Sequence, residues 1–263
     1  VELSKSTYYF WKNHSTEDKD GVLRACVIEQ FKAHHERYGY RRMTITVSKT
    51  LNRTVNHKKI LKIMHEEDCI CKIRAKKYKS YKGEVGKMAE NLLNRQFKSV
   101  KPHQKLVTDV TEFKTDEGKV YLSPIMDLYN QEILAYSVSK SPSFYMIREM
   151  MDQLLPQLKV EDNPILHSDQ GWQYQQKLFQ DTLHKHNITQ SMSRKGNCLD
   201  NAMIENFFGH LKSEYYYQYH FNTVEELIQG IHEYIDFYNN VRIKTKLKGL
   251  CPVDYRIQSL NTP

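Results

Sequence analysis

The chain has 263 residues, 40% of them hydrophobic and 27% charged, and a formal charge of +8. That balance is globular rather than disordered, and the length suggests about two domains at roughly 150 residues each. No apolar run reaches the roughly 18 residues of a membrane span, Val1 opens no signal-peptide pattern and the five cysteines form no regular framework, so membrane and secreted classes are set aside for a cytosolic protein with reduced thiols.

The charge is unevenly divided. Residues 1–100 carry 22 Lys and Arg against 11 Asp and Glu, or +11, while residues 101–263 carry 17 against 20, or −3. A basic first part suits a polyanion partner, and a mildly acidic second part suits a site that concentrates carboxylates.

In chain order, apolar Val22, Ala25, Cys26, Ile28 and Phe31 predict a helix over 22–37, interrupted by Gly39. A second helix is expected from Tyr40 to about Leu51, carrying Met43, Ile45 and Val47. Asn52-Arg53-Thr54 reads as a turn, and Asn56 as the cap of a third helix through about Glu67. His57, Lys58 and Lys59 crowd its start. Two short helices about a tight turn, the second basic near its N-terminus, are the pattern of a helix-turn-helix DNA reader. Residues 1–71 are therefore assigned to a helical DNA-binding domain. Residues 72–100 are basic and aperiodic and read as a linker along a phosphate backbone.

From Lys105 the pattern changes to strands over 106–113, 120–127 and 133–138. A helix over 143–158, a short strand at 164–168 and a helix over 174–187 follow. Asp200 is expected to cap a helix reaching Tyr217, and 223–240 a further one. Residues 101–263 thus predict an α/β core, a mixed sheet with helices on its faces and a C-terminal helical extension.

Three carboxylates in this part ask for a functional reading. Asp109 is placed mid-strand between Val107 and Val110, where a charge is costly unless paired or metal-bound. Asp169 follows a strand's C-terminal end, a usual place for ligands. Glu205 follows Asp169 with thirty-five residues between them, on a helix where Asn201, Glu205 and Lys212 share one face and Ile204, Phe207 and Leu211 can bury. Oxygen ligands alone suit hard Mg²⁺ or Mn²⁺, and two such ions suit in-line displacement at phosphorus. Asp116 and Asp127 compete as strand-edge carboxylates.

The surrounding residues resemble a known family. His167-Ser168-Asp169-Gln170-Gly171 with Tyr174 resembles the second-Asp motif of bacterial insertion-sequence transposases with a retroviral-integrase-type core. The run from Ser193 through Cys198, Asp200, Asn201 and Glu205 to Leu211-Lys212 resembles their Glu motif, with Leu199 where a Trp is expected. Thr108-Asp109-Val110-Thr111-Glu112-Phe113 is similar to the first-Asp strand. Tyr238-Asn239, Arg242, Leu247, Gly249, Pro252 and Tyr255 resemble the closing segment, while Tyr38-Gly39-Tyr40-Arg41-Arg42 and Val55-Asn56-His57-Lys58-Lys59 resemble the preceding helix-turn-helix. The likeness runs through nearly the whole chain and is greatest to the second-frame product of insertion-sequence group three, whose full enzyme is longer.

The resemblance implies an RNase H-like core, with a mixed five-stranded sheet flanked by helices, behind a small all-α helix-turn-helix domain. It implies Asp109, Asp169 and Glu205 as a triad holding two Mg²⁺ or Mn²⁺ ions. The implied reaction is hydrolysis at the element's end, then attack of the freed 3′-hydroxyl on another strand, leading to a circular intermediate. Lys212, Asn201, Arg194 and Lys195 would hold DNA near the scissile phosphate, and Arg41, Arg42, His57, Lys58 and Lys59 would bind it through the first domain. His167 would pack rather than ligate. The implied partners are the element's terminal inverted repeats, target DNA and at least one further copy of the chain, in a bacterial cytoplasm at the nucleoid.

Two rival readings stay open at this level: a metal-dependent nuclease of the same fold, and a DNA-binding regulator with a dead core. Zinc is not expected, because His34, His35, His65, Cys69 and Cys71 lack the paired spacing of a zinc site.

Overall fold

The computed structural model describes residues 4–6, 9, 20–71, 89–194 and 198–260. The chain divides into two compact units, Val1–Lys72 and Ile73–Pro263.

In the first unit α1 (Gly21–Ala33), α2 (Tyr40–Thr50) and α3 (His57–Glu66) pack around Val27, Met43, Val47 and Ile60, all fully buried. The first helix ends four residues before the expected Arg37, because His35 and Glu36 both turn left-handed, at φ 53° and 59°. His34 then stacks on Tyr38 with ring centroids 4.2 Å apart. The expected turn between α2 and α3 includes left-handed Asn52, and the Asn56 side chain caps α3 by accepting from the Lys58 N–H at 2.9 Å. Arg24 of α1 pairs with Glu66 and Glu67 at the end of α3.

The second unit is built on one mixed sheet of β1 (Lys105–Thr108), β2 (Thr111–Lys114), β3 (Lys119–Asp127), β4 (Ile133–Ser139), β5 (Ile165–Ser168) and β6 (Thr189–Met192). β1 and β2 pair with β3 in one continuous antiparallel register, from Leu106 opposite Asp127 to Lys114 opposite Lys119, so the two strands fill a single lane. The sheet therefore has five lanes, although its first strand is broken at Asp109-Val110.

The break has a local cause. The same register sets Asp109 opposite Pro124, which has no N–H to donate. On Pro124's other side Tyr136 turns its N–H outward to Gln153 Oε1 at 3.2 Å, so Pro124's nitrogen faces the lane of Asp109. The ladder bond that would hold the Asp109 carbonyl is missing.

Helices cover both faces. On one, α6 (Ala202–Glu214) and α7 (Val224–Asn240) bury Ile204, Phe207, Leu211, Leu227 and Ile231 against Val107, Phe113, Leu122 and Met126. On the other, α4 (Phe144–Leu154) and α5 (Lys177–Lys185) bury Met146, Met150, Phe179 and Leu183 against Leu106, Ile125 and Leu166. The helix expected over 223–240 is α7, started by a capping box of Thr223 and Glu226, and α8 (Pro252–Leu260) follows near the end of the chain.

Several expectations are corrected. The helix expected over 143–158 gives way to a 3-10 turn at Leu155–Gln157, where Pro156 cannot continue an α-helix. β6, only four residues long and three of them polar, went unread. Residues 72–88 lie outside the described residues, but 89–100, read as the end of a linker, are packed onto the core. Leu93 is fully buried, Phe97 packs beside it, and the Leu92 N–H donates to Ser191 Oγ at 3.0 Å along β6. Among the described residues no helix is long and apolar enough to cross a membrane.

Candidate active site

β1 and β5 are neighbouring parallel strands, with Lys105 opposite Ile165 and Val107 opposite His167. Carried on by two residues, that register sets Asp109 beside Asp169, each just past its strand's carboxyl end. Side chains alternate between faces, so both follow the side of Val107, the face on which α6 packs. Glu205 stands in the first turn of α6. Topology thus brings three distant acidic residues toward one end of the sheet.

Local bonds fix the first two. The Val110 N–H donates to Asp109 Oδ1 at 2.7 Å, and the Gly171 N–H donates to Asp169 Oδ1 at 2.9 Å. A Cβ on Gly171 would come within 2.9 Å of that same oxygen, so glycine is what permits the close turn.

The electrostatics are strained. Burial pushes the Asp109 carboxyl well above the usual range, and the charges of Asp169 and Glu205 push it further, while Val110 and Lys212 pull it down. Burial also raises Asp169. Lys212 is the nearby cation. Its Nζ donates to Thr111 Oγ1 at 2.6 Å and lies 5.1 Å from the centre of the Phe113 ring.

Among the described residues no group of three His, Cys, Asp or Glu side chains is arranged to hold a metal ion. The donor chemistry nevertheless fits a hard divalent cation, since the group offers only carboxylate oxygens, partly buried and repelling one another. Asp127 is accounted for otherwise. It is fully buried and accepts the N–H groups of His103 and Tyr129, closing the turn after β3. Asp116 pairs with His220 at the surface.

Beneath the site His167 packs as expected, while the bonds that Tyr174, Ser168, Gln170 and Ser193 make were not read from the sequence. His167 is fully buried with Nδ1 2.8 Å from Ser191 Oγ, and burial lowers its pKa to about 4, which keeps it neutral. Tyr174 is fully buried 3.3 Å from Thr108 Oγ1. The Ser193 N–H donates to the Ser168 carbonyl, and Gln170 Nε2 donates to the Ser193 carbonyl, both at 2.9 Å.

Two expectations about the Glu motif are corrected. Asp200 does not cap a helix. Its side chain is fully buried and accepts from Arg194, Arg95 and Asn91, and Arg194's guanidinium beside it holds its carboxyl far below the usual range. Asn201, expected on DNA, is 3% exposed and its Nδ2 donates to the Thr108 carbonyl at 3.3 Å. The buried amide ties the two segments together, and its Oδ1 meets no hydrogen-bond partner among the described residues. Arg194 is half exposed, and Lys195 lies outside the described residues.

In the first unit Arg41, His57, Lys58 and Lys59 are exposed, and Arg42 is half-buried with its guanidinium over the Tyr38 ring. Lys59 pairs with Asp20. The Tyr40 and His57 rings, 6.2 Å apart, bring the first turns of α2 and α3 together.

Comparison with known proteins adds the lineage. Two models described as integrase core domain match residues 99–198 and 205–260, and an HTH-like domain model matches residues 17–77. The chain is 45% identical over 260 residues to the putative transposase InsK for insertion sequence element IS150 of Escherichia coli K12, covering 98% of this chain and 92% of that one. It is 53% identical over 219 residues to an uncharacterized transposase-like protein of Haemophilus influenzae, covering 83% of this chain and all of that one. A chain of the simian T-cell lymphotropic virus intasome, solved by cryo-EM with PP2A regulatory subunit B56 gamma, shares the fold. The TM-score is 0.52 and the identity 15%, over 90% of this chain and 75% of that one.

Proposed function

This chain belongs to the insertion-sequence transposases with an integrase core and an HTH-like domain, a polynucleotidyl transferase family, and we propose that it cleaves the ends of its element and joins the freed 3′-hydroxyl to another strand. Asp109, Asp169 and Glu205 are the catalytic carboxylates of this reading. The observation that carries it is the shared register of Asp109 and Asp169 on the face covered by the helix of Glu205.

The chemistry balances without an energy source. Water oxygen attacks phosphorus, the bond from phosphorus to the 3′ oxygen breaks, and that oxygen takes up a proton. In the joining step the same hydroxyl loses its proton as its oxygen bonds to the phosphorus of a second phosphodiester, whose bond to its own 3′ oxygen breaks, and that leaving oxygen takes up a proton. When bound, two Mg²⁺ or Mn²⁺ ions would supply a more acidic attacking oxygen and neutralise charge on the leaving oxygen.

The residues have distinct parts in this scheme. Asp109, Asp169 and Glu205 would hold the cations through their carboxylate oxygens. Lys212 holds a phosphate oxygen beside Thr111, and Asn201 keeps the helix of Glu205 on the strand of Asp109. The first domain, residues 1–71, reads the terminal repeats through Arg41, Arg42, His57, Lys58 and Lys59, and residues 101–263 perform the chemistry. Because two ends must meet, the working form is at least a dimer on DNA, in the bacterial cytoplasm.

The test is incubation of the purified chain with Mg²⁺ and labelled duplexes carrying candidate inverted-repeat ends, intact and pre-nicked. Products longer than either substrate support transposition. Shortened strands alone identify a nuclease of the same fold, and DNA binding without any product identifies a regulator.

A further inference from the structure

Among the described residues two buried polar side-chain atoms meet no hydrogen-bond partner, His167 Nε2 and Asn201 Oδ1. The rest of each side chain is committed, which fixes what the two atoms can do. Ser191 Oγ accepts the Leu92 N–H at 3.0 Å, and the acceptor for its own hydroxyl hydrogen is His167 Nδ1, 2.8 Å away. The ring hydrogen of His167 is therefore on Nε2, which makes that atom a donor. Asn201 Nδ2 donates to the Thr108 carbonyl, so Oδ1 is the acceptor end of the amide. One unpartnered atom offers a hydrogen and the other takes one.

The fold brings them to the same place. Val107 and His167 are paired across the parallel strands β1 and β5, so His167 leaves the sheet on the face of Val107, where α6 packs. Asn201 immediately precedes α6 and is bonded to Thr108, the residue after Val107. Asp200, the residue before Asn201, acts on the His167 imidazole with both its charge and its backbone. The two atoms thus belong to the layer between β1, β5 and the start of α6, two residues before Asp109 and Asp169 on the same face. A buried group without a partner bears the whole loss of its hydration, and a water set between a donor and an acceptor returns a bond to each.

We propose that a buried water bridges His167 Nε2 to Asn201 Oδ1, and that His167 is thereby a positioning residue. Through that water it holds the start of α6, and with it Glu205, against the strand ends that carry Asp109 and Asp169. The effect on metal binding rests on the reading of those three residues as the catalytic carboxylates. The bridge itself does not.

Glutamine and asparagine tell the two ring nitrogens apart, because the amide of Gln reaches the place of Nε2 and that of Asn the place of Nδ1. The full chain is melted over a series of Mg²⁺ concentrations, and the concentration giving half of the Tm rise is compared among wild type, His167→Gln and His167→Asn. His167→Gln is expected to stay within about twofold of wild type and His167→Asn to need about 10–100-fold more Mg²⁺, the usual effect of losing a group that orients metal-binding residues. A histidine that only fills space gives the opposite order, since its bond to Ser191 is the one that Asn keeps. That order, or equal values, overturns the proposal. A crystal structure of the wild-type chain decides it even where a variant fails to fold. A water within about 3.2 Å of both atoms supports the bridge, and no water there, or a protein group bonded to either atom, overturns it. A wild-type Tm that Mg²⁺ does not move defeats the metal-binding reading alone and leaves the bridge to the crystal structure.

Discussion

Asn201 Nδ2 donates to the carbonyl of Thr108 at 3.3 Å, which ties the start of the Glu205 helix to the strand end that presents Asp109. The bond is buried and joins residues 93 positions apart in the sequence. It makes Asn201 a support for the site, and that assignment separates two effects in one variant. Asn201→Ala is expected to lower the strand-joining rate about 10–100-fold, the usual effect of removing a group that orients metal-binding residues. DNA affinity and its salt dependence should stay at wild-type values. A variant that loses affinity instead would return Asn201 to the DNA interface.

Asp109 gives a prediction about stability. Its carboxyl is raised in the folded chain by burial and by Asp169 and Glu205, so the stability it lends is present below the ordinary carboxylate range and lost as pH rises through the folded value. At neutral pH the ionised group is a net cost to the metal-free fold. Asp109→Asn should therefore raise the metal-free Tm at pH 7, by about 2–4 °C for each kcal/mol relieved, and the gain should shrink on acidification. Mg²⁺ should raise the Tm of wild type and leave the variant unmoved. A thermal melt series with and without Mg²⁺ checks both parts. An Asp109→Asn chain less stable than wild type at pH 7 would contradict the account.

The C-terminal end of the Glu205 helix rests on a buried ion pair. Arg242 Nε and Nη2 donate to the two oxygens of Glu214 at 2.6 and 2.5 Å, both side chains nearly unexposed, and Tyr234 adds its hydroxyl at 2.9 Å. Arg242→Ala leaves Glu214 charged and buried, and should cost about 3–5 kcal/mol in denaturant unfolding. Replacing both with apolar residues of similar volume should recover most of that loss. A single variant within about 0.5 kcal/mol of wild type would show that the pair is solvated in solution.

Assembly is open to direct measurement. If two element ends are joined by one complex, the mass of the protein–DNA complex by analytical ultracentrifugation should hold at least two chains. A complex that cleaves and joins ends with one chain would contradict this part of the proposal.

Much of the architecture was legible because it rests on periodicity and caps. The Asn56 cap, the strands around Leu122 and Val138 and the apolar stripe of Ile204, Phe207 and Leu211 all carry their signal within a few residues. What was hidden depends on partners far along the chain. The strand break at Asp109 follows from Pro124 in the next lane, and the burial of Asp200 follows from Arg95 and Asn91 more than a hundred positions away. β6 is too short and polar to announce itself, and its edge is covered by residues 89–92. The three carboxylates stood out in the sequence through the motifs around them. The register that brings two of them together is a property of the fold.

The central claim is that Asp109, Asp169 and Glu205 carry out strand joining with a divalent cation. The most direct measurement is Mg²⁺-dependent joining of pre-nicked end DNA by wild type and by Asp109→Asn, Asp169→Asn and Glu205→Gln, with DNA binding recorded in the same samples. The account predicts joining by wild type, its loss by at least a thousandfold in each variant, and DNA binding retained in all four. Joining at wild-type rates by any variant that binds DNA would remove that residue from the triad, and joining by all three would end the assignment.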